Sequence, residues 1–222
     1  MRGLYIEALI RTDLDSLWRH TQDPAAHARW DARFSEIAFL PGDGPRRFRY
    51  ATLGVAGTGV CAGERTSDDG ACVSALRFAS GNALSPIRSG SGYWRYVPTP
   101  DGIRFITGYD YQPGWGRGAD VLIRPFIGWL TAWSFDRLRL WLERGVPPER
   151  SRNRAVAHTA ARGALVAVVA ARYGVAPGAV TVALMFALPA AAGMPAARRC
   201  RRMPPGRAAG APPALLNGLE QP

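Results

Sequence analysis

Residues 3–12, GLYIEALIRT, read as an opening strand, and DLDSLWRHTQ follows with Asp13 as N-cap and Leu14, Leu17 and Trp18 at helical spacing. DPAAHARW starts a second short helix, capped by Asp23 with Pro24 in its first turn. Strands then recur over 33–40, 46–53, 57–66 and 71–80, parted by turn-forming stretches such as PGDGP, SDDG and NALSP. The longest alternation is GSGYWRYVPTPDGIRFITGYDY, residues 90–111, two runs about Pro-Asp-Gly. Pairing about Thr99–Gly102, or more tightly about Pro100–Ile103, gives one parity. One face then holds Trp94, Tyr96, Phe105, Thr107, Tyr109 and Tyr111, and the other Tyr93, Arg95, Arg104, Ile106 and Asp110.

After QPGWGRG the period changes. Residues 119–145 predict a long helix ended by Gly145 with Pro147 and Pro148 beyond it, starting or kinking at Pro125. Leu122, Phe126, Trp129, Leu130, Trp133 and Leu140 make a broad apolar face that requires a sheet to lie on. Residues 155–171 are apolar except for His158, Thr159 and Arg162, and residues 173–197 carry no charge, a length that spans a bilayer. Pro177 and Pro189 interrupt the second run, so an Ala-rich helix packed on the domain is the alternative. Arginines stand on both sides, at 144, 150, 152 and 154 before and at 198, 199, 201, 202 and 207 after, which favours a hairpin with both ends cytoplasmic. Arg172 fits the hairpin turn, whereas Arg162 would have to snorkel. The Pro-, Gly- and Ala-rich residues 203–222 are expected to be disordered.

Charge sharpens this division. The formal charge is +11, yet residues 1–150 carry 19 Arg against 16 acidic residues and residues 151–222 carry 9 Arg against one Glu. Every cation is Arg, which with so much Ala, Gly and Pro reads as base composition. The tail's arginines flank apolar runs and form no stripe interleaved with polar and aromatic residues, so nucleic acid is not the expected partner. The start has no apolar signal region, so the domain is expected in the cytoplasm, with the tail expected to hold it at the inner face of the plasma membrane. Cys61, Cys72 and Cys200 have no metal-ligand spacing, and a turn at Ser67–Gly70 sets Cys61 near Leu76 and away from Cys72.

The order strand, two short helices, six antiparallel strands and a long C-terminal helix is that of an α+β helix-grip fold, and resembles the START-like (SRPBCC) superfamily of lipid-transfer domains, birch-pollen-type allergens and polyketide cyclases. RWDARFSEI, RFRYAT, GSGYWRY, RFITGYDY and AWSFDRLRLWLERG look like bacterial SRPBCC proteins fused to a DoxX-like membrane region, here with a shortened tail. The division expected is a ligand-binding domain over 1–148, an apolar helical tail over 149–202 and a disordered end. The resemblance implies a hollow between sheet and long helix that takes an apolar small molecule or lipid. Trp94, Tyr96, Phe105, Tyr109 and Tyr111, with Trp30 and Tyr50, would line it, and Trp129 and Trp133 would form its lid side. The plainer reading is that these rings fill the space.

For catalysis the candidates are Asp31, Asp110, Arg49, Arg77, Arg95, Tyr50 and Tyr109, the parts of a cyclase or dehydrase that needs a base and an oxyanion partner. Asp110, Arg95 and Arg104 share the outer face of the hairpin and read as a solvated cluster. His20, His27 and His158 stand beside no GxSxG elbow, and no metal site or cofactor is expected. A non-catalytic partner of a membrane redox complex is the third reading.

Overall fold

The computed structural model describes residues 3–42, 45–52, 54–64, 71–203, 214–219 and 222. The strands are β1 (Leu4–Ile10), β2 (Glu36–Phe39), β3 (Arg46–Thr52), β4 (Val55–Glu64), β5 (Cys72–Ala79), β6 (Ile87–Thr99), β7 (Gly102–Pro113) and β8 (Arg201–Met203). The helices are α1 (Leu14–Gln22), α2 (Pro24–Trp30), α3 (Gly116–Arg144), α4 (Pro148–Tyr173) and α5 (Val175–Ala187). All strands join one antiparallel sheet in the order β2-β3-β4-β5-β6-β7-β1-β8. This is a helix-grip fold: α1 and α2 close one end of the curved sheet, and α3 lies mainly over β1 and β7.

Local chemistry sets the element ends. Asp13 Oδ1 accepts from the Ser16 amide at 2.7 Å, and Asp23 Oδ2 accepts from the Ala26 amide at 3.0 Å. Gly145 takes φ 61°, and the Gly145 and Val146 amides return to the Trp141 and Leu140 carbonyls, closing α3. Pro125 lies inside α3 without ending it, and Arg124 clips the turns before it to β7. Its guanidinium donates to Asp120 at 2.8 Å, to Asp110 at 3.2 Å and to the Tyr111 carbonyl at 3.3 Å. Asp110 is therefore not part of a solvated cluster with Arg95 and Arg104; Arg104 pairs with Glu7 at 2.8 Å.

The hairpin pairs Thr99 with Gly102, Tyr96 with Phe105 and Gly92 with Tyr109, the register expected from its alternation. Cys61 lies opposite Leu76, as the strand spacing requires, although the turn at 67–70 is outside the described residues. The hairpin's second face is not left to water throughout. Tyr93 is buried with Ala75 and Leu219, beneath a 3-10 turn at Ala214–Gly218 whose Leu216 carbonyl accepts from Arg77 at 3.2 Å. The expected disordered end thus includes a docked turn; residues 204–213 fall outside the described residues.

α4 and α5 form a helical hairpin turned at Gly174 (φ 91°), where a Cβ on Gly178 would stand 2.8 Å from the Ala170 Cβ. α4 is long and apolar enough to cross a membrane by length and composition, with none of its apolar window buried in the protein. Arg162 donates to the Met185 carbonyl at 2.6 Å and the Pro189 carbonyl at 3.3 Å, satisfying carbonyls that the end of α5 leaves without helical partners. After α5 the chain comes back. Ala197 and Cys200 enter the main core, and β8 pairs Arg202 with Ile6. The end of the expected tail, residues 197–202, is thereby part of the sheet domain's packing.

Candidate functional site

Strand pairing fixes one concave face. Cys72 and Ser74 on β5 stand opposite Tyr96 and Trp94, and Phe105 and Thr107 stand opposite Ala8 and Ile6. At the end covered by α2 and α3, rings pack on rings. Trp30, Tyr96, Phe105 and Phe135 are fully buried; Phe105 stacks on Phe135 at 4.5 Å, and Trp30 lies 6.1 Å from both Trp94 and Phe135. Tyr96 hydrogen-bonds Thr21 at 2.7 Å and Gln22 at 3.0 Å. Here Trp30, Trp94, Tyr96 and Phe105 fill the space that the resemblance implied was hollow.

Towards β3 and β4 the face changes character. A Cβ on Gly57 would meet the Tyr50 ring at 2.3 Å and the Ala79 carbonyl at 2.7 Å; one on Gly59 would meet the Phe48 ring at 2.2 Å. Phe78 lies over Gly90 in the same way, at 2.4 Å. Glycines in strand interiors let neighbouring rings lie flat across the sheet. Tyr50 and Phe78 stay partly exposed, since α3 sits over β1 and β7 rather than over them. Burial pushes the Tyr50 phenol up to about 12, so it acts as a neutral hydrogen-bonding group.

At the junction of the two halves stands a polar cluster on the chain leaving α2. Asp31 is fully buried and accepts four bonds. Its Oδ1 takes the Arg33 amide at 3.1 Å and Arg33 Nε at 2.9 Å; its Oδ2 takes Arg33 Nη2 at 2.6 Å and is 3.1 Å from His27 Nε2. Burial would raise the Asp31 carboxyl, but the Arg33 charge and the bonds from His27 and Arg33 outweigh it and hold the group well below the usual carboxylate range. Burial holds His27 below its ordinary value, against the pull of Asp31, so the imidazole is neutral and donates from Nε2. Arg33 continues to Tyr109, its guanidinium 5.6 Å from the ring centre. The Tyr109 and Thr131 hydroxyls bond at 3.0 Å, and burial raises the Tyr109 phenol despite the nearby Arg33. Tyr111 is buried and donates to Asp120 at 2.6 Å.

Asp31 was legible as a cap or turn residue; its burial comes from the Asp-x-Arg chelate, a signal present in WDARF but easily read as loop. Arg49 pairs with Glu36 at the surface, and Arg95 has its guanidinium 6.0 Å from the Tyr93 ring on the second face, so neither joins the cluster. Arg77 serves the C-terminal turn.

Trp129 lies outside the core, whereas Trp133 is half-buried and packs against it. The sheet-facing side of α3 carries Gly128, Thr131, Ala132, Phe135 and Leu138, small residues apart from the rings and leucine that meet the core. The sheet's own aromatics take the volume, so α3 approaches closely: a Cβ added at Gly128 would stand only 3.2 Å from Leu4 Cδ2. Trp129, 43% exposed, and Trp133 stack in parallel at 6.4 Å and line a groove of about 720 Å³ shared with α4 and residues 194–198. Leu122 and Phe126 are likewise exposed. Among the described residues, no group of three or more His, Cys, Asp or Glu side chains comes together as a metal site.

No protein-family model matches the chain. It is 42% identical over 161 residues to the uncharacterized membrane protein YndG of Bacillus subtilis, covering 67% of this chain. The match spans 60% of that relative's length. Among solved structures, the di-domain ARO/CYC StfQ from the steffimycin biosynthetic pathway shares 12% identity, with 64% of this chain and 50% of that chain covered and a TM-score of 0.48. The Zhui aromatase/cyclase from Streptomyces sp. R1128 shares 15% identity, with 54% and 72% covered and a TM-score of 0.41.

Proposed function

We propose that this chain is a membrane-held binding domain that takes an apolar, ring-containing or acyl molecule onto the open half of its concave face. One observation carries the reading: Tyr50 and Phe78 stay partly exposed over Gly57 and Gly90 beside the buried Phe48, an aromatic surface joined to Arg33 through Phe34, whose ring centre lies 5.6 Å from that of Tyr50. Flat rings offer dispersion contact to a planar or acyl group, and the polar edge orients one end of it. The name of the relative YndG and the exposed apolar α4 support attachment to a membrane through the α4–α5 hairpin. In this reading the hairpin corresponds to a shortened DoxX-like region, and the domain lies on the cytoplasmic side.

A cyclase-type enzyme using Asp31 is the less favoured reading. Asp31 is held far below the operating pH and its four acceptor positions are occupied, which makes it a poor base. Its chemistry suits fixing Arg33 beside Tyr109. The test is native mass spectrometry of the full chain extracted from membranes in mild detergent. A stoichiometric apolar adduct, reduced severalfold in Tyr50→Ala and Phe78→Ala, supports binding; a bare mass, with no uptake on titration of acyl or polycyclic probes, contradicts it.

A further inference from the structure

The groove outside the sheet has a chemistry of its own. Trp129 and Trp133 form one wall, and Val156 from α4 and Leu188 beyond α5 another. No acidic residue lines it, while Arg198 and Arg202 do. Both are exposed, and neither has an acidic partner among the described residues. Arg162, also in the lining, is already committed to the Met185 and Pro189 carbonyls.

The backbone that carries Arg198 and Arg202 is fixed at several points. Asp136 Oδ2 accepts from the Ala196 amide at 2.7 Å and from Arg199 at 2.9 Å, on either side of the turn that carries Arg198. Cys200 donates to the Ala132 carbonyl at 3.3 Å, and Arg202 belongs to β8, paired with β1. Two cations are thus set on an ordered segment above an apolar, aromatic-walled groove, at the root of an exposed apolar hairpin.

We propose that this groove seats one anionic phospholipid, its phosphate and acidic headgroup between Arg198 and Arg202 and an acyl chain along Trp129, Trp133 and Val156. The assignment rests on the membrane attachment proposed above. It is a separate site from the concave face. Charge complementarity selects the occupant: a neutral lipid leaves two guanidiniums without a counter-charge, whereas an anionic headgroup supplies charge-assisted hydrogen bonds.

The test uses the full chain in detergent, exchanged against phosphatidylglycerol or phosphatidylcholine and examined by native mass spectrometry. Retention of phosphatidylglycerol over phosphatidylcholine by roughly tenfold or more is expected for two surface guanidiniums. Arg198→Gln with Arg202→Gln abolishes that preference. Arg150→Gln with Arg201→Gln, which removes the same charge outside the groove, leaves it unchanged. Val156→Trp, which builds the α4 wall into the groove while keeping both arginines, lowers retention severalfold. Equal retention of the two lipids, or an equal loss in both double variants, overturns the lipid site while leaving the membrane attachment standing. A chain that stays in the aqueous phase without detergent and does not float with vesicles of either lipid overturns both.

Discussion

Asp136 in α3 and Arg199 after the α4–α5 hairpin meet at 2.9 Å although 63 residues separate them. Asp136 is fully buried and also holds Arg139 at 2.7 Å and the Ala196 amide. The far end of the hairpin is thereby fastened to the helix that grips the sheet. Removing the buried partner of such a network costs roughly 3–5 kcal/mol. Asp136→Ala is expected to lower stability on that scale in denaturant titration and to open residues 188–196 to protease. The partly exposed Arg199, changed to Ala, should cost clearly less. Unchanged protection in Asp136→Ala would contradict the fastening.

The buried rings and the groove tryptophans should separate in stability. Phe105 is fully buried and stacked on Phe135, so Phe105→Ala is expected to cost about 3–5 kcal/mol. Trp129→Ala, at a side chain 43% exposed, should stay within about 1 kcal/mol. Comparable losses in the two variants would mean that the core has been assigned to the wrong rings.

Gly57→Ala tests the aromatic floor. The added methyl meets the Tyr50 ring at 2.3 Å and the Ala79 carbonyl at 2.7 Å, so the ring has to lift or the strands part. The expected outcome is a loss of about 1–3 kcal/mol together with weakened uptake of apolar ligand. Gly81→Ala, where nothing lies within 4 Å, should do neither.

The pH dependence has a definite sign. His27 is held neutral by burial, with its pKa below the ordinary value, so in acid the unfolded chain gains a proton that the folded chain resists. Stability is complete above about pH 6.5 and falls as the pH drops through and below that value. Asp31 has a depressed pKa, so its contribution is present above the ordinary carboxylate value of about 4 and is lost only in stronger acid. Denaturation midpoints between pH 7.5 and 5 should decline for the native chain, and His27→Gln should flatten that decline. An unchanged slope in His27→Gln would place the titration elsewhere.

The sequence made the fold legible where local chemistry and alternation agree. The Asp13 and Asp23 caps, the Gly145 stop, the Thr99–Gly102 turn and the Cys61–Leu76 register all follow from residue type and period 2. The orientation of α3 did not follow, because Trp129 looks like core by hydropathy alone. Only the volume already filled by Trp30, Trp94 and Phe105 decides that Thr131, Ala132 and Phe135 face inwards. The return of residues 194–203 has no periodic signature; it depends on Asp136, an acidic residue that reads as solvent-facing in the helix pattern. The polar cluster was half visible. Asp31 and Tyr109 stood out as candidates, whereas Arg33 and His27 gain their meaning from contact across a turn and a helix end.

The proposed attachment has the α4–α5 hairpin entering the bilayer with both its ends on one side, holding the domain against it. Nitroxide labels at positions 150, 165 and 198, with Cys61 replaced by Ser, test this in sealed vesicles. The account predicts that the label at 165 meets oxygen in preference to a water-soluble relaxant. It also predicts that the labels at 150 and 198 are reduced together by a membrane-impermeant reductant, or spared together. A label at 165 as open to the water-soluble relaxant as the one at 150, or one end reduced while the other is spared, would contradict it.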